Sequence, residues 1–476
     1  MCGVAAGRNI HERYILSGSC AQDAPVCRRS ICCIKNIRLI ESNASGCLST
    51  RPSRKKRDGA PRLICCIFHA YLESSMLSDK SKPYIDASVP VLREHGLTIT
   101  QTFYRNMFAS HPELTNVFNM GNQANGSQQQ SLASAVFAYA ANHGNNAALA
   151  PVVNRIVHKH AAVGIKPSHY PIVARHLLGA IAEVLGDAAT PDLLAAWDEA
   201  YWLLAAELIA AEARLYQHTG SGPDHRQPVR IVSRRQQAED VVSLTLEAVG
   251  DAPLADFLPG QYISVQVELA PGALQQRQYS LSDAPNGRTW RISVKRDAGD
   301  ADRPAGTVSS WLHANAREGD VLLVSQPYGD FVPQLATSNP IVLMSAGVGI
   351  TPMISALNTL AQQNSARKIV FSHASRAASH VAHADDLERA AQALPAFEAH
   401  VFLESGEDAE FAQRPAHPGR MTVDTFVRDH GAEADFYLCG PLPFMQAQRA
   451  ALLASGVPSE RIHREVFGPD LLDDIL

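Results

Sequence analysis

The sequence predicts three modules in succession: an all-α module, an antiparallel β-barrel, and an α/β doubly wound module around a parallel sheet. Three observations predict that order. From Ser78 to about His218 apolar residues recur at helical spacing with no strand signal between them. Immediately afterwards "YISVQVEL" (262–269) alternates apolar and polar positions, as a half-buried antiparallel strand does. From Pro340 onward "IVLMSAG", "IVFSHA", "AHVFLE" and "FYLCG" are continuous apolar runs separated by helical stretches, the pattern of parallel strands buried on both faces.

At 476 residues the chain exceeds what one core can organise. The expected division is a helical module over 76–218, a barrel over 227–336 and an α/β module over 339–476, preceded by a disordered extension over 1–75. In the first helix Ile85, Val89 and Leu92 share a face, and Gly96 is expected to close it. Thr190 and Pro191 make a cap and first-turn pair for a long last helix carrying Leu194, Trp197, Tyr201, Leu204 and Leu208. The polar stretch "QHTGSGPDHRQP" (217–228) reads as a linker, after which "VRIVS" and "RISVK" read as further half-buried strands.

Hydrophobic residues make up 46% of the chain and charged residues 19%, an ordinary globular composition, and a net charge of -5 gives no sign of a nucleic-acid partner. That charge is unevenly spread. Residues 1–75 hold 12 Lys+Arg against 5 Asp+Glu, a net of +7, and eight of the nine cysteines. They also lack helical or strand periodicity, and their apolar patch "LICCIFHAYL" is too short to span a bilayer. The adjacent pairs Cys32-Cys33 and Cys65-Cys66 lack the CxxC spacing of a zinc site. The expectation is therefore that Met76 is the true first residue. The remainder, with Cys439 alone, reads as cytoplasmic, free of disulfides and without stable membrane insertion.

In the second half, "RQYSL" (277–281) at the end of a barrel strand combines a fixed cation, an aromatic plane and a hydroxyl, the parts that a flavin needs. "PGQY" (259–262) precedes it, and "GTVSSWLH" (306–313) is a turn opening a helix whose free N–H groups suit a phosphate. In "AGVGITPM", Gly347 and Gly349 let backbone approach a dinucleotide at a helix start, although Pro352 stands where a full G-x-G-x-x-G fingerprint has its third glycine. "YLCGPLPFM" (437–445) ends another parallel strand, and "EVFGP" (465–469) brings an aromatic near the chain end. Taken singly, each is better read as a structural turn; their order and spacing together are not. Cys439 has no evident partner histidine, so shaping a nicotinamide site suits it better than acting as a nucleophile. Ser375 and Arg376, just after the second parallel strand, leave NADH and NADPH both open with a lean to NADPH.

"NRIVHKHAAVGIKPSHY" (154–170) carries two histidines on nearly opposite sides of a helix. His160 shares its face with Val153, Ile156, Val157 and Val163 and points inward, whereas His158 neighbours Asn154 and Arg155. By itself an inward histidine is more often a hydrogen-bonded core residue than a ligand. A flavin that collects a hydride must pass single electrons onward, however, and a helical module has no redox chemistry without a cofactor. A neutral imidazole on an apolar helix is the usual axial ligand of haem iron.

The run RxYS, GxxS, GVGxTP, CGP and E-x-FGP resembles the ferredoxin-NADP reductase superfamily. "TFYRNMF", "LTNVFNMGNQANGSQQQSL", "HKHAAVGIKPSHYPIV" and "EAYWLLAAELIAAEARLY" resemble the globin domain of flavohaemoglobins, so that the likeness runs from Met76 to the C-terminus. The resemblance implies a globin haem domain, an FAD-binding barrel and an NAD(P)-binding domain, with haem b, FAD and NAD(P)H as cofactors. It implies that His160 is the axial iron ligand with Tyr170 and Glu212 behind it, and that Tyr104, Gln128 and Leu132 line the opposite side while Phe118 packs on the porphyrin. It further implies that Tyr262, Arg277, Tyr279 and Ser280 hold the flavin and that Gly306, Val308 and Ser309 hold its phosphates. Gly347, Gly349, Thr351, Cys439, Gly440 and Pro441 would hold the nicotinamide cofactor, with Glu465 and Phe467 against the flavin and Lys159 at the domain contact. The implied activity is nitric oxide dioxygenation by a monomer: electrons from NAD(P)H pass through FAD to haem, where O2 and NO yield nitrate. The alternatives are an oxygen- or NO-binding sensor with its own reductase, and a general flavin reductase.

Overall fold

A computed structural model describes residues 77–250, 253–299, 304–423, 426–427 and 431–470. The extension over 1–75 and the choice of Met76 as first residue lie outside the described residues. Helices come first: α1 (Lys82–Ser110), α2 (Met120–Ala124), α3 (Ser127–Asn142), α4 (Asn146–Val163), α5 (His169–Leu185) and α6 (Pro191–His218). The first helix does not close at Gly96. The buried stripe continues through Ile99, Phe103, Tyr104 and Met107 and the helix runs on to Ser110, with Gly96 buried inside it facing Ala133 of α3, whose Cβ lies 3.7 Å from where a Cβ at 96 would stand. Thr190 caps α6 by accepting from Leu193 N, with Pro191 at the first turn, because an extended cap residue satisfies an otherwise orphaned N–H. Trp197 donates its indole N–H to Ser88 Oγ at 3.0 Å, which lets two polar groups sit inside this apolar core.

The linker turns directly into β1 (Gln227–Ala238), followed by β2 (Val241–Ala248), β3 (Tyr262–Ala270), β4 (Ala273–Ser280), β5 (Thr289–Lys295), α7 (Thr307–Asn315) and β6 (Val321–Val324). These strands pair antiparallel in the order β4-β3-β6-β1-β2-β5, and a bridge between Leu281 and Ile292 brings the two edges together as a barrel. Alternation of burial along β1, with Val229 and Ile231 fully inside, fixes the register, since a slip by one residue would expose the whole inner set.

The last module runs β7 (Ile341–Ala346), α8 (Ile350–Gln362), β8 (Ile369–Ser375), α9 (Ala384–Ala393), β9 (Phe397–Leu403), a small hairpin β10 (Glu410–Phe411) and β11 (Arg414–Pro415), β12 (His417–Pro418), β13 (Asp435–Cys439), α10 (Leu442–Ala454) and β14 (Ile462–Glu465). Its sheet is parallel throughout in the order β12-β9-β8-β7-β13-β14. Every residue of β7 is buried, as the unbroken apolar run requires. Among the described residues no helix is long and apolar enough to cross a membrane.

The modules are fastened by specific contacts. Gln276 donates to the carbonyls of Val163 (2.9 Å) and Val117 (3.3 Å), and Gly329 N donates to His158 Nδ1 at 3.0 Å. His158 is thus half-buried at the seam with the barrel, facing away from His160 yet not into solvent. Arg155 pairs with Asp470 and lies 3.7 Å from Asp330, and Arg464 reaches Asp470 at 3.3 Å, so α4 is ionically tied to both later modules. Gly164 ends α4 at φ 81°, and a Cβ there would come within 2.4 Å of Pro223 O in the linker. Gly164→Ala is therefore expected to lower unfolding free energy by roughly 2–4 kcal/mol, from left-handed strain plus overpacking. Urea unfolding checks this, and an unchanged midpoint would refute it.

Candidate functional site

One cavity of about 1140 Å³ opens between all three modules, and its wall takes in Tyr104, Phe118, Gln128, Leu132, His160 and Tyr170 of the helices. It continues past Tyr262, Arg277, Tyr279 and Ser280 of the barrel to Thr351, Glu465 and Phe467 of the last module. Residues separated by more than 300 positions in the chain thus share one space.

At the helical end, His160 comes from the last turn of α4, opposite α6. Its Nδ1 lies 2.8 Å from Glu212 Oε1 and 3.2 Å from Tyr170 Oη, and Tyr170 donates to the same carboxylate oxygen at 2.6 Å. Glu212 is only 2% exposed. A buried carboxylate demands donors; here an imidazole N–H and a phenol supply them. Burial first, and then the Glu212 carboxylate, push the Tyr170 phenol far above its ordinary range, so it remains a donor. With Nδ1 carrying the proton, Nε2 keeps a lone pair for a metal. Tyr201 Oη donates to Tyr170 O at 2.7 Å and fixes the start of α5.

Across the cavity Tyr104 is buried, and burial raises its phenol to about 12 against the hydrogen bonds of Gln128 and Gln123. Tyr104, Phe108 and Phe118 pack ring on ring at centroid distances of 5.4–5.9 Å, giving an apolar wall with one polar tip. Gln123 was not anticipated; it stands in the polar run after Asn119, where composition gives no hint of inward orientation.

At the barrel end, the hydrogen bonds of Arg277 leave from Nη1, to Gln275 Oε1 at 3.1 Å and Gln276 O at 2.7 Å, so its other N–H groups keep their donor capacity for a ligand. Tyr262, Tyr279 and Ser280 join it on the adjacent paired strands β3 and β4. Gly306, Val308 and Ser309 do not line this cavity. They form the start of α7, where a Cβ on Gly306 would lie 2.7 Å from Ser309 Oγ and 2.9 Å from Asp297 Cβ. The Val308 side chain lies in the barrel core at 1% exposure, so it could meet a phosphate only through its backbone N–H.

Gly347 and Gly349 form a single turn opening α8, and a Cβ on Gly349 would come within 2.3 Å of Cys439 O. That contact holds the Gly347–Gly349 turn against Cys439, Gly440 and Pro441 at the end of β13, while Thr351 Oγ1 donates to Val348 O at 3.0 Å. The Cys439 thiol is fully buried, and burial pushes it well up, which leaves it unreactive. Beside it, burial raises the Glu465 carboxyl to about 8 although the Lys159 ammonium opposes the shift. Lys159 donates to Gly468 O at 2.7 Å and so reaches from the histidine helix to the segment bearing Phe467, which is 44% exposed.

These donors fit three groups. An imidazole of fixed tautomer facing an apolar chamber fits an iron porphyrin; the guanidinium, ring and hydroxyl of Arg277, Tyr279 and Ser280, with the helix start at Gly306 too tight for a side chain, fit a flavin dinucleotide. Gly349 and Gly440, whose missing side chains let the turn before α8 pack against the end of β13, bring two neighbouring strand ends together where a parallel α/β sheet takes its ligand, and that placement fits a nicotinamide dinucleotide.

The chain matches the globin family over residues 101–208 and the oxidoreductase NAD-binding domain family over residues 343–450. It is 44% identical over 412 residues to the flavohemoprotein of Rhizobium meliloti, covering 83% of this chain and 99% of that one. It is 46% identical over 403 residues to the flavohemoprotein of Deinococcus radiodurans, covering 83% of this chain and 98% of that one. Among solved structures, the flavohemoglobin of Malassezia yamatoensis with bound FAD and heme superposes with a TM-score of 0.72 at 33% identity, covering 82% of this chain and all of that one.

Glu465 also has a thermodynamic signature. Between the ordinary carboxyl range and about 8 the folded chain holds a proton there that the unfolded chain has lost. The folded state therefore binds more protons, and stability falls as pH rises through that window, by at most about 1.4 kcal/mol per pH unit. Glu465→Gln should flatten this slope in urea unfolding; an unaltered slope would show that the carboxyl is ionised throughout.

Proposed function

The chain belongs to the flavohaemoglobin (flavohemoprotein) family, and from that membership we propose that this oxidoreductase is an NAD(P)H-dependent nitric oxide dioxygenase, converting NO and O2 to nitrate. The supporting observation is the single cavity that joins the His160–Glu212 pair to the RxYS strand and the glycine turn of the α/β module. When bound, NAD(P)H supplies a hydride, FAD divides it into single electrons, and haem b supplies an iron centre for O2 and NO.

The residues of the chain supply positioning and electrostatics. Glu212 and Tyr170 hold the His160 ring in one tautomer and orientation, and their hydrogen bonds to Nδ1 make Nε2 a stronger donor to iron. Tyr104 and Gln128 offer hydrogen bonds on the opposite side, where negative charge on a ligand is stabilised. Phe118 and Leu132 exclude water and pack on the porphyrin. Arg277, Tyr262, Tyr279 and Ser280 would bind and orient the flavin, and N–H groups at Val308 and Ser309 would receive its phosphates, with Gly306, whose own N–H donates to Asp297 O at 2.9 Å, shaping the turn beside them. Gly347, Gly349, Thr351 and Cys439 to Pro441 admit the nicotinamide, with Phe467 and Glu465 on the flavin side and Lys159 holding the two ends together. The module limits that go with this reading are 76–218, 227–336 and 339–476. The reading takes the chain as a cytoplasmic monomer, and a reducing compartment suits the lone buried thiol of the described residues.

The test is steady-state turnover. Under air the purified chain should oxidise NAD(P)H rapidly only when NO is added and form nitrate, whereas a sensor would take up NO without sustained NAD(P)H consumption. In Tyr104→Phe, loss of one hydrogen bond of about 1.5 kcal/mol should raise the O2 off-rate and lower NO consumption by roughly tenfold. If both rates stay unchanged, the phenol has no part in ligand stabilisation.

A further inference from the structure

The seam between the barrel and the α/β module buries a hydroxyl, an imidazole and a carboxylate in series that none of these roles uses. Ser293 Oγ of β5 lies 2.9 Å from His383 Nε2, and His383 Nδ1 lies 2.8 Å from Asp386 Oδ2 at the start of α9. Ser282 Oγ extends the series, 2.9 Å from Ser293 Oγ. Exposure is 3% at Ser293, 0% at His383 and Ser282, and 1% at Asp386. Ser293 nonetheless lines the large cavity, in company with Ser280, Lys295 and Thr351. His383 is held at φ 61°, a left-handed backbone that costs a non-glycine residue about 1–2 kcal/mol, so strain is tolerated to keep an imidazole here.

The charges fix the tautomer. Burial pushes the Asp386 carboxyl up, but His383, Arg291 and Asn358 outweigh it and hold the group below the usual carboxylate range. An ionised carboxylate only accepts, so His383 Nδ1 carries the hydrogen and Nε2 is bare. Ser293 therefore donates its O–H to Nε2 and accepts from Ser282 Oγ, which leaves one oxygen lone pair for whatever occupies the cavity. The result is an acceptor backed by a base, built as a nucleophile relay is built but placed beside a cofactor chamber.

We propose that Ser293, His383 and Asp386 form the outlet for the proton that the flavin reaction leaves behind. The inference rests on the reading of the cavity as an FAD site. A hydride brings two electrons and one proton to the flavin. The electrons leave singly to a one-electron acceptor, and the flavin returns to its oxidised form only when that proton leaves too. With FAD bound, Ser293 Oγ would take that proton while passing its own to His383 Nε2. The imidazolium rests against Asp386 and then releases a proton to water. His383 faces Asp386 on its own helix, Asp283 and Arg291 from the barrel, and His373 from β8. Burial first, and then the Arg291 cation, disfavour a lasting positive charge on it, which suits a relay rather than a store. Arg389, which pairs with Asp386 and is 57% exposed, marks where the series meets solvent.

The test follows two signals in one stopped-flow record. The full chain with FAD bound is reduced with NAD(P)H and mixed with ferricyanide in weak buffer containing a pH indicator, so that flavin absorbance reports reoxidation and the dye reports the released proton. The two traces should coincide in the wild type. In His383→Gln, which can hydrogen-bond but cannot carry a proton, departure of the second electron and release of the proton should slow together by at least about tenfold while departure of the first electron, which needs no proton loss, keeps its wild-type rate, and Ser293→Ala should behave likewise. An unchanged rate for the second electron and the proton in FAD-loaded His383→Gln overturns the proposal, as does an equal slowing of both electron steps, which is what a purely structural seam would give. Should His383→Gln fail to fold, FAD-loaded Ser293→Ala decides by the same criterion. A second readout needs no cofactor: histidine 15N resonances of the full chain should show His383 as the Nδ1–H tautomer, and an Nε2–H form would overturn the relay. If the wild type shows no flavin absorbance before mixing, the FAD reading itself fails, and the outlet fails with it.

Discussion

The hydrogen bonds that converge on Glu212 constrain everything around the helical end of the cavity. A carboxylate buried to 2% exposure is costly unless its oxygens are satisfied, and the two groups that satisfy Oε1 are His160 Nδ1 and Tyr170 Oη. That requirement sets the tautomer of the imidazole, the direction of its other nitrogen and the placement of α5 against α6 through Tyr170. Tyr201, donating to the Tyr170 carbonyl, adds a further support. A single charged group of α6 thereby determines what α4 presents to the chamber.

The same helix carries the connection to the other modules. Arg155, His158 and Lys159 lie within five residues of His160, and each makes contact outside the helical module: Arg155 with Asp470 and Asp330, His158 with Gly329, Lys159 with Gly468. One face of α4 thus holds the candidate iron ligand, and its other faces are clamped to the chain that frames the proposed flavin site. Movement of the reductase segment relative to the histidine would have to break a salt link, a buried hydrogen bond and a lysine–carbonyl contact together. This explains how two redox sites built from separate modules can keep a fixed separation without a rigid linker.

Much of this was legible in the sequence where a local period or a fixed backbone demand wrote it there. The apolar stripe beside His160, the cap at Thr190, the unbroken runs of β7, β8 and β13, and the glycines that permit contact at 349 and 440 are all of this kind. What could not be read was decided by distant partners. Gly96 looks like a stop but lies inside α1, buried in a stripe that runs on to Met107. Val308 stands in a phosphate-like turn yet sends its side chain into the barrel core, and His158 is polar on a polar face yet lies at a seam. Nothing local marks His383, since only the meeting of β5 with α9 gives it Ser293 on one nitrogen and Asp386 on the other.

If Glu212 governs the character of the candidate iron ligand, the iron–histidine stretching vibration should report it. Resonance Raman spectra of the ferrous, haem-loaded chain should place that vibration at distinctly lower frequency in Glu212→Gln than in the wild type, because a neutral amide no longer draws the Nδ1 proton. The same frequency in both proteins, with haem fully bound, would contradict the account.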